Sequence, residues 1–224
     1  MVHHRWDISP KEAIELQRRL AFKVRLKPLS GKVRTVAGAD CAFLAGGSKI
    51  IAVAMLCDAE SMAPITSVSE VRPCRFPYVP GLLSFREAPA VIAAVKKLSA
   101  RPDLLMCDGQ GLAHPRGLGL ACHVGLLLDV PAIGVAKSRL CGKHHMPATQ
   151  RGRKTQLRFN GRVVGMVVRT RTGVKPLYVS VGNRVTLAQA VRWTLGCCRG
   201  FRMPEPTRQA HRYVSELKKT AGLP

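Results

Sequence analysis

Acidic side chains are scarce in this sequence: 13 Asp and Glu stand against 36 Lys and Arg over 224 residues, a formal charge of +23 at neutral pH. A chain this basic repels cationic partners, and its default partner is a phosphate backbone or an anionic membrane surface. Long apolar runs are missing too. No stretch approaches the roughly 18 uninterrupted apolar residues that a spanning helix needs, which argues against such a helix. Among the eight cysteines no Cys-x-x-Cys pair occurs, so structural zinc and thioredoxin-type chemistry lack their spacing. Cys41, Cys57, Cys107 and Cys122 lie inside apolar segments and Cys197-Cys198 are adjacent; reduced, core-filling thiols are expected. There is no internal repeat and no long low-complexity tract. The opening Met1 to Asp7 is too polar for a secretory signal, which sets the expectation of an intracellular, cytoplasmic chain. What remains suffices for one core: 46% hydrophobic content over this length fits one α/β domain, residues 1–224, better than two small ones.

Along the chain, Pro10 to Phe22 reads as an amphipathic helix, with Ser9 as N-cap, Pro10 at the first position and Glu12 closing a capping box. Strands are expected at Val33–Leu44, Lys49–Leu56 and Ile65–Val71, and their short connections argue for an antiparallel meander. The two prolines of Pro77-Tyr78-Val79-Pro80 exclude regular structure there. Helix is expected from Glu87 or Ala88 to Leu98, then a buried strand at Leu104–Cys107, a helix near Leu120–Leu128 and a buried strand at Ala132–Ala136, which together resemble a parallel βαβ crossover. Asn160-Gly161 joins strands at Gln156–Phe159 and Arg162–Arg169 into a hairpin. After a strand at Leu177–Val181, two helices, near Thr186–Cys197 and Pro206–Lys219, finish the chain, and Gly142–Lys154 is the expected mobile segment. This order matches a ribonuclease H-like α/β fold: a mixed sheet, an antiparallel three-strand meander plus parallel strands, flanked by helices. That topology would set an acid on the first strand beside one at the end of the fourth.

Three of the scarce acids stand where no solubilising carboxylate belongs. Asp40 sits between Val36-Ala37-Gly38-Ala39 and Cys41-Ala42-Phe43-Leu44; Asp108 ends Leu104-Leu105-Met106-Cys107; Glu87 closes the stretch from Pro77 through Gly81-Leu82-Leu83-Ser84-Phe85-Arg86. A carboxylate in or beside a core must be paired, protonated or bound to a metal. Taken alone, Glu87 fits a helix N-terminus equally well. These segments, with Asp108-Gly109-Gln110-Gly111-Leu112-Ala113-His114-Pro115-Arg116, Ile133-Gly134-Val135-Ala136-Lys137-Ser138 and Pro204-Glu205-Pro206-Thr207-Arg208-Gln209-Ala210-His211, resemble the endonuclease V (deoxyinosine 3′ endonuclease) family in family order, from about Pro10 to Glu216.

The resemblance implies Asp40, Glu87, Asp108 and His211 as metal-binding positions, with Mg²⁺ as the ion and Mn²⁺ as a substitute. Whether His211 would bind directly or through water stays open. It implies Lys137 and His114 as catalytic beside the acids, and Tyr78, Pro80, Gly81, Leu83, Gly109, Gly111, Arg116 and Gly134 as substrate-binding. Hard oxygen ligands suit Mg²⁺, and a lysine could stabilise charge on a phosphorane-like state. Tyr78, held between two prolines on a stiff exposed backbone, is placed to insert between bases; a packed aromatic corner is the plain alternative. Glycines around a flipped base let main-chain amides reach its edge, though Gly109 serves a turn equally well. Arg151, Arg153, Lys154, Arg158, Arg162, Arg169 and Arg171 crowd the hairpin, a composition suited to sequence-independent backbone binding.

The expectation is therefore a Mg²⁺-dependent endonuclease, acting as a monomer on inosine-containing DNA; by resemblance it would cut the second phosphodiester bond 3′ to the lesion. An inosine-specific ribonuclease acting on single-stranded RNA remains an alternative, because the deciding contact would be to a 2′-hydroxyl. A non-catalytic nucleic-acid-binding protein is the rival from another class, since charge alone would suffice for it.

Overall fold

The computed structural model describes residues 2–221. Helix α1 runs Pro10–Ala21 with its capping box in place: the Glu12 amide donates to Ser9 Oγ and the Ser9 amide to the Glu12 carboxylate. Its buried stripe is Ala13, Leu16 and Leu20, with Gln17 among them.

Strands β1 (Thr35–Leu44), β2 (Lys49–Asp58) and β3 (Pro64–Pro73) form the expected antiparallel meander, Asp40 facing Val53 across β1 and β2. β2 is buried from Ile50 to Cys57 without alternation, as a strand covered on both faces must be. β3 is an edge strand and tolerates a proline at each end, so it outruns the expected Ile65–Val71. β4 (Leu104–Cys107) lies parallel to β1, and β5 (Ala132–Ala136) parallel to β4, joined by helix α3 (Leu120–Leu128). β6 (Lys154–Phe159) and β7 (Arg162–Val168) make the hairpin; β8 (Leu177–Asn183) pairs antiparallel with both β7 and β5. The eight-stranded sheet runs β3-β2-β1-β4-β5-β8-β7-β6. The strand order and helix-covered faces are those of the ribonuclease H-like α/β expectation.

Helix α2 (Leu83–Lys96) and α3 cover one face, Ala88, Val91 and Ala94 packing on Ala37, Ala52, Ala54 and Leu105. Helix α4 (Leu187–Gly196) covers the β5–β8 part of the other, and α5 (Glu205–Ala221) the β1–β2 part. α1 packs on the start of α2 through Leu82 and Phe85. No helix among the described residues is long and apolar enough to cross a membrane, and the eight cysteines are free thiols, all buried except Cys41 and Cys74. Gly142–Lys154, expected to be mobile, carries no long element, but Lys143 exchanges both backbone hydrogen bonds with Arg158.

Two details differ from expectation and position the site. α2 starts at Leu83, not at Glu87 or Ala88, and Pro89 lies inside it. The proline reads as a first-turn residue, yet it sits deeper, where it removes the bond the Phe85 carbonyl would accept. Glu87 is consequently beyond the first turn, and the helix-terminus explanation for it falls. At Gly38, α5 crosses β1 so closely that a Cβ would lie 2.1 Å from the Pro206 carbonyl carbon. Only glycine admits this approach, and it lays the next turns of α5 over Asp40.

Candidate active site

Register brings the two strand acids together. Ala39 and Cys107 are partners across the parallel β1–β4 pair, and the Asp108 amide donates to the Ala39 carbonyl at 3.2 Å. Asp40 and Asp108, 68 positions apart in sequence, therefore emerge side by side, both nearly buried. α5 adds His211, whose Nδ1 lies 2.6 Å from Asp40 Oδ2. The Cys41 amide donates to Asp40 Oδ1 at 2.8 Å. Lys137, one residue past β5, sets its Nζ 2.5 Å from Asp108 Oδ2.

Ligand atoms of Asp40, Asp108 and His211 all lie within 4.8 Å of one another. Glu87 is not a member of that tight set but is coupled to it by charge. Burial first, and then the charges of Asp40 and Asp108, push its carboxyl up to about 8, against the pull of Arg86. Asp40 is raised as well, by burial and then by Asp108, opposed by His211, the Cys41 amide and Lys137. Carboxyls that resist ionisation because they are buried, and then because they crowd one another, are what a hard divalent cation relieves, so the donor set fits such an ion.

Beside the acids lies a cavity of about 180 Å³, walled by Tyr78, Pro80, Gly81, Leu83, Gly109 and Glu87. Glu87 thus belongs to both the cavity and the acidic cluster. Tyr78 is 70% exposed, not a packed corner, and the Arg86 guanidinium lies between its ring (5.9 Å) and that of Phe43 (4.7 Å).

The remaining expected site residues are held by their own chain. Gly111 and Gly134 do not wall the cavity. The Gly111 amide is taken by Ser180 Oγ at 2.9 Å, and a Cβ on Gly134 would sit 2.3 Å from the Gly111 nitrogen. Both are glycine because backbone stacks there. His114 lines the cavity without facing the acids: its Nδ1 accepts the Arg116 amide, so Nε2 carries the proton and donates to the Gly81 carbonyl at 3.0 Å. Burial, with Arg116 nearby, lowers it to about 4. A neutral imidazole with both nitrogens engaged is a buttress rather than an acid–base catalyst near neutral pH. Arg116 likewise turns inward, its Nη2 2.7 Å from the Gly81 carbonyl.

The hairpin cations divide. Arg153, Lys154 and Arg158 join Lys143 and His144 around a surface groove of about 970 Å³. Arg169 instead spends its guanidinium on the Pro147, Ala148 and Val174 carbonyls, and Arg151 bonds the Leu195 carbonyl. Sequence reasoning missed Gln110, a cavity wall whose Nε2 donates to the Ser138 carbonyl at 2.8 Å. It also missed Arg202, which feels the charge of Asp108 and donates to the Lys137 carbonyl. Gln110 lay in plain view inside the quoted Asp108–Arg116 motif; Arg202 carries no local signal.

A pH dependence of stability follows from the buried histidines. His123, fully buried, is lowered to about 3 by burial and then by His4, and His114 to about 4. Both stay neutral in the fold but take up a proton on unfolding below their ordinary value near 6.5. Each should therefore remove stability as pH falls from about 6.5 toward 4, by roughly 1.4 kcal/mol per pH unit at most. Urea unfolding of wild type and His123→Asn at pH 7 and 5 tests this: the acid-side loss should be smaller in the variant, and equal losses would exclude it.

The endonuclease V family model matches residues 18–212. Endonuclease V of Myxococcus xanthus is 48% identical over 219 residues, covering 97% of this chain and 93% of that protein. The crystal structure of endonuclease V from Streptomyces avermitilis superposes with a TM-score of 0.92 at 38% identity, covering 97% of this chain and 96% of that one. Ciona intestinalis endonuclease V (D234N), in complex with a 23mer DNA containing an inosine followed by a ribo-adenosine, has the same fold, with a TM-score of 0.82 at 23% identity, covering 95% of this chain and 99% of that one. A family match from α1 to α5, over the strand acids, the proline loop and His211 alike, means that this chain belongs to the endonuclease V family.

Proposed function

We propose that this nuclease hydrolyses nucleic acid at deaminated adenine, with Mg²⁺ at Asp40, Asp108 and Glu87, and cuts the second phosphodiester bond 3′ to the lesion. The observation that carries the reading is the shared position of Glu87, in the wall of a cavity and beside the paired acids. Recognition and cleavage would then meet at one side chain. His211, bonded to Asp40, orients that carboxylate or adds a ligand.

A bound Mg²⁺ supplies Lewis-acid polarisation of the phosphate and a lowered pKa for water. The chain's own residues do the rest. Asp40 and Asp108 would hold the cation, Glu87 would join them as the carboxylate, and Lys137 would face the charge that develops on the phosphate oxygens. Water oxygen would bond to phosphorus as the P–O3′ bond breaks, the attacking water losing a proton to solvent and O3′ gaining one from it, which leaves 3′-hydroxyl and 5′-phosphate ends. Tyr78 fills the gap left by the displaced base. A main-chain N–H near Gly81, Leu83 or Gly109 meets the O6 of hypoxanthine and repels the amine of adenine. The Lys143–Arg158 groove, lined by cations and no acid, suits the flanking phosphodiester backbone.

Cleavage of end-labelled inosine-containing DNA and RNA strands, with and without Mg²⁺ and mapped to the nucleotide, tests the reading. Cutting in DNA one nucleotide beyond the lesion's own 3′ phosphate is expected. Cutting confined to RNA would assign the ribonuclease alternative, and binding without any cut the non-catalytic one. Tyr78→Ala should lower kcat/KM on inosine strands by about tenfold, the order of one lost base-stacking contact, while affinity for plain duplex changes little. An equal fall on both would exclude the wedge.

A further inference from the structure

The carbonyl of Gly81 closes the Tyr78 loop, and three side chains converge on it. Arg116 Nη2 reaches it at 2.7 Å, His114 Nε2 at 3.0 Å and Gln17 Nε2 at 3.1 Å. A carbonyl oxygen has two lone pairs, so three donors saturate it. His114 and Arg116 come from the loop after Asp108. Gln17 comes from α1, 64 positions before Gly81, and does not itself line the cavity.

Gln17 is fully buried between Ala13, Leu16 and Leu20. A glutamine there is costly unless every group is satisfied, and a leucine would be the simpler core residue. Both ends of its amide are engaged. Nε2 also donates to the Leu118 carbonyl at 2.8 Å, and Oε1 accepts from Arg116 Nε at 2.5 Å. Because both partners of Nε2 are carbonyls, only one amide orientation is possible. One side chain therefore ties the Tyr78 loop, the Arg116 guanidinium and the turn before α3 together. Gly81 itself has φ +79°, and a Cβ there would lie 2.6 Å from Arg116 Nη2, so turn and guanidinium pack as a unit.

We propose that Gln17 is a positioning residue for lesion recognition: by fixing the Gly81 carbonyl and the Arg116 guanidinium, it presents Tyr78 on a loop already in its projecting form. This rests on the reading of Tyr78 as the base-displacing residue. A loop ordered beforehand loses less conformational freedom when substrate binds. The effect of Gln17 therefore runs through Tyr78 and requires it.

The test is a double-mutant cycle between Gln17→Leu and Tyr78→Ala on the full chain, read as kcat/KM on an inosine-containing duplex and as Kd for the undamaged duplex. Gln17→Leu alone should lower kcat/KM on inosine about tenfold and leave the undamaged Kd within about twofold. In the Tyr78→Ala background it should cost less than about twofold further, because the element it positions has gone. Equal losses in both backgrounds would overturn the proposal, as general destabilisation predicts that result. Should Gln17→Leu fail to fold, Arg116→Gln severs the same link from the other side, and the same non-additivity is required of it. Wild type is the reference arm. No cut at inosine there sinks the functional reading itself, whereas a cut with an additive cycle sinks only the role of Gln17.

Discussion

Asp40→Asn and Asp108→Asn are each expected to lower kcat/KM on an inosine-containing strand by about a thousandfold or more, while the metal-free Asp40→Asn protein becomes no less stable. The activity loss corresponds to the several kcal/mol that Lewis-acid charge stabilisation contributes. The stability result follows from crowding. Asp40 resists ionisation because it is buried beside Asp108, and Glu87 because it is buried beside both. A neutral amide of the same shape removes like-charge repulsion at modest cost to the hydrogen bonds from His211 and the Cys41 amide. Three measurements check this: kcat/KM, the thermal midpoint without divalent ions, and the rise of that midpoint on adding Mg²⁺. Wild type should show the rise, because a ligand that binds only the folded state stabilises it. A variant that keeps both the rise and the activity would remove the carboxylate from the cation site.

Lys137→Met should lower kcat by about 10²–10³-fold with KM little changed, the size seen when one preorganised donor to a developing oxyanion is removed. Lys137 is held by Asp108, which fixes its ammonium at the strand edge where the acids emerge. A lysine that served only as surface charge would cost little in kcat and would act on KM in a salt-dependent way. Lys137→Arg should recover only part of the loss, since a planar fork does not place its charge where a compact ammonium does. Full activity in Lys137→Met at saturating substrate would exclude any part in the chemistry.

Much of this was legible in the chain. The meander could be read because β1 to β3 are long β-rich runs with short, turn-forming connections. Once the strand order was in hand, the meeting of Asp40 with Asp108 followed, as sheet register converts sequence separation into adjacency. The start of α2 was not legible, because Pro89 imitates a first-turn proline and tertiary packing of Leu82 and Phe85 carries the helix back to Leu83. Gly111 and Gly134 stand by resemblance among the substrate-binding positions, and a glycine required by a ligand and one required by a crossing backbone look alike in sequence. Arg169 looked like a phosphate contact until its partners proved to be carbonyls of its own chain. Gln17 sits in an apolar helical stripe, where periodicity alone reads a polar residue as an irregularity.

Pro89 has a consequence for how the cavity and the acids are joined. Leu83 and Glu87 stand four positions apart on α2, and so on one face of its first turns, with the proline cutting a backbone bond just behind them. The opening turns of the helix are therefore joined to the remainder by one backbone hydrogen bond fewer. Leu83 and Glu87 both wall the cavity, and Glu87 also feels the charges of Asp40 and Asp108. On the proposed reading, whatever fills the cavity would press on the same helical face that carries this carboxyl.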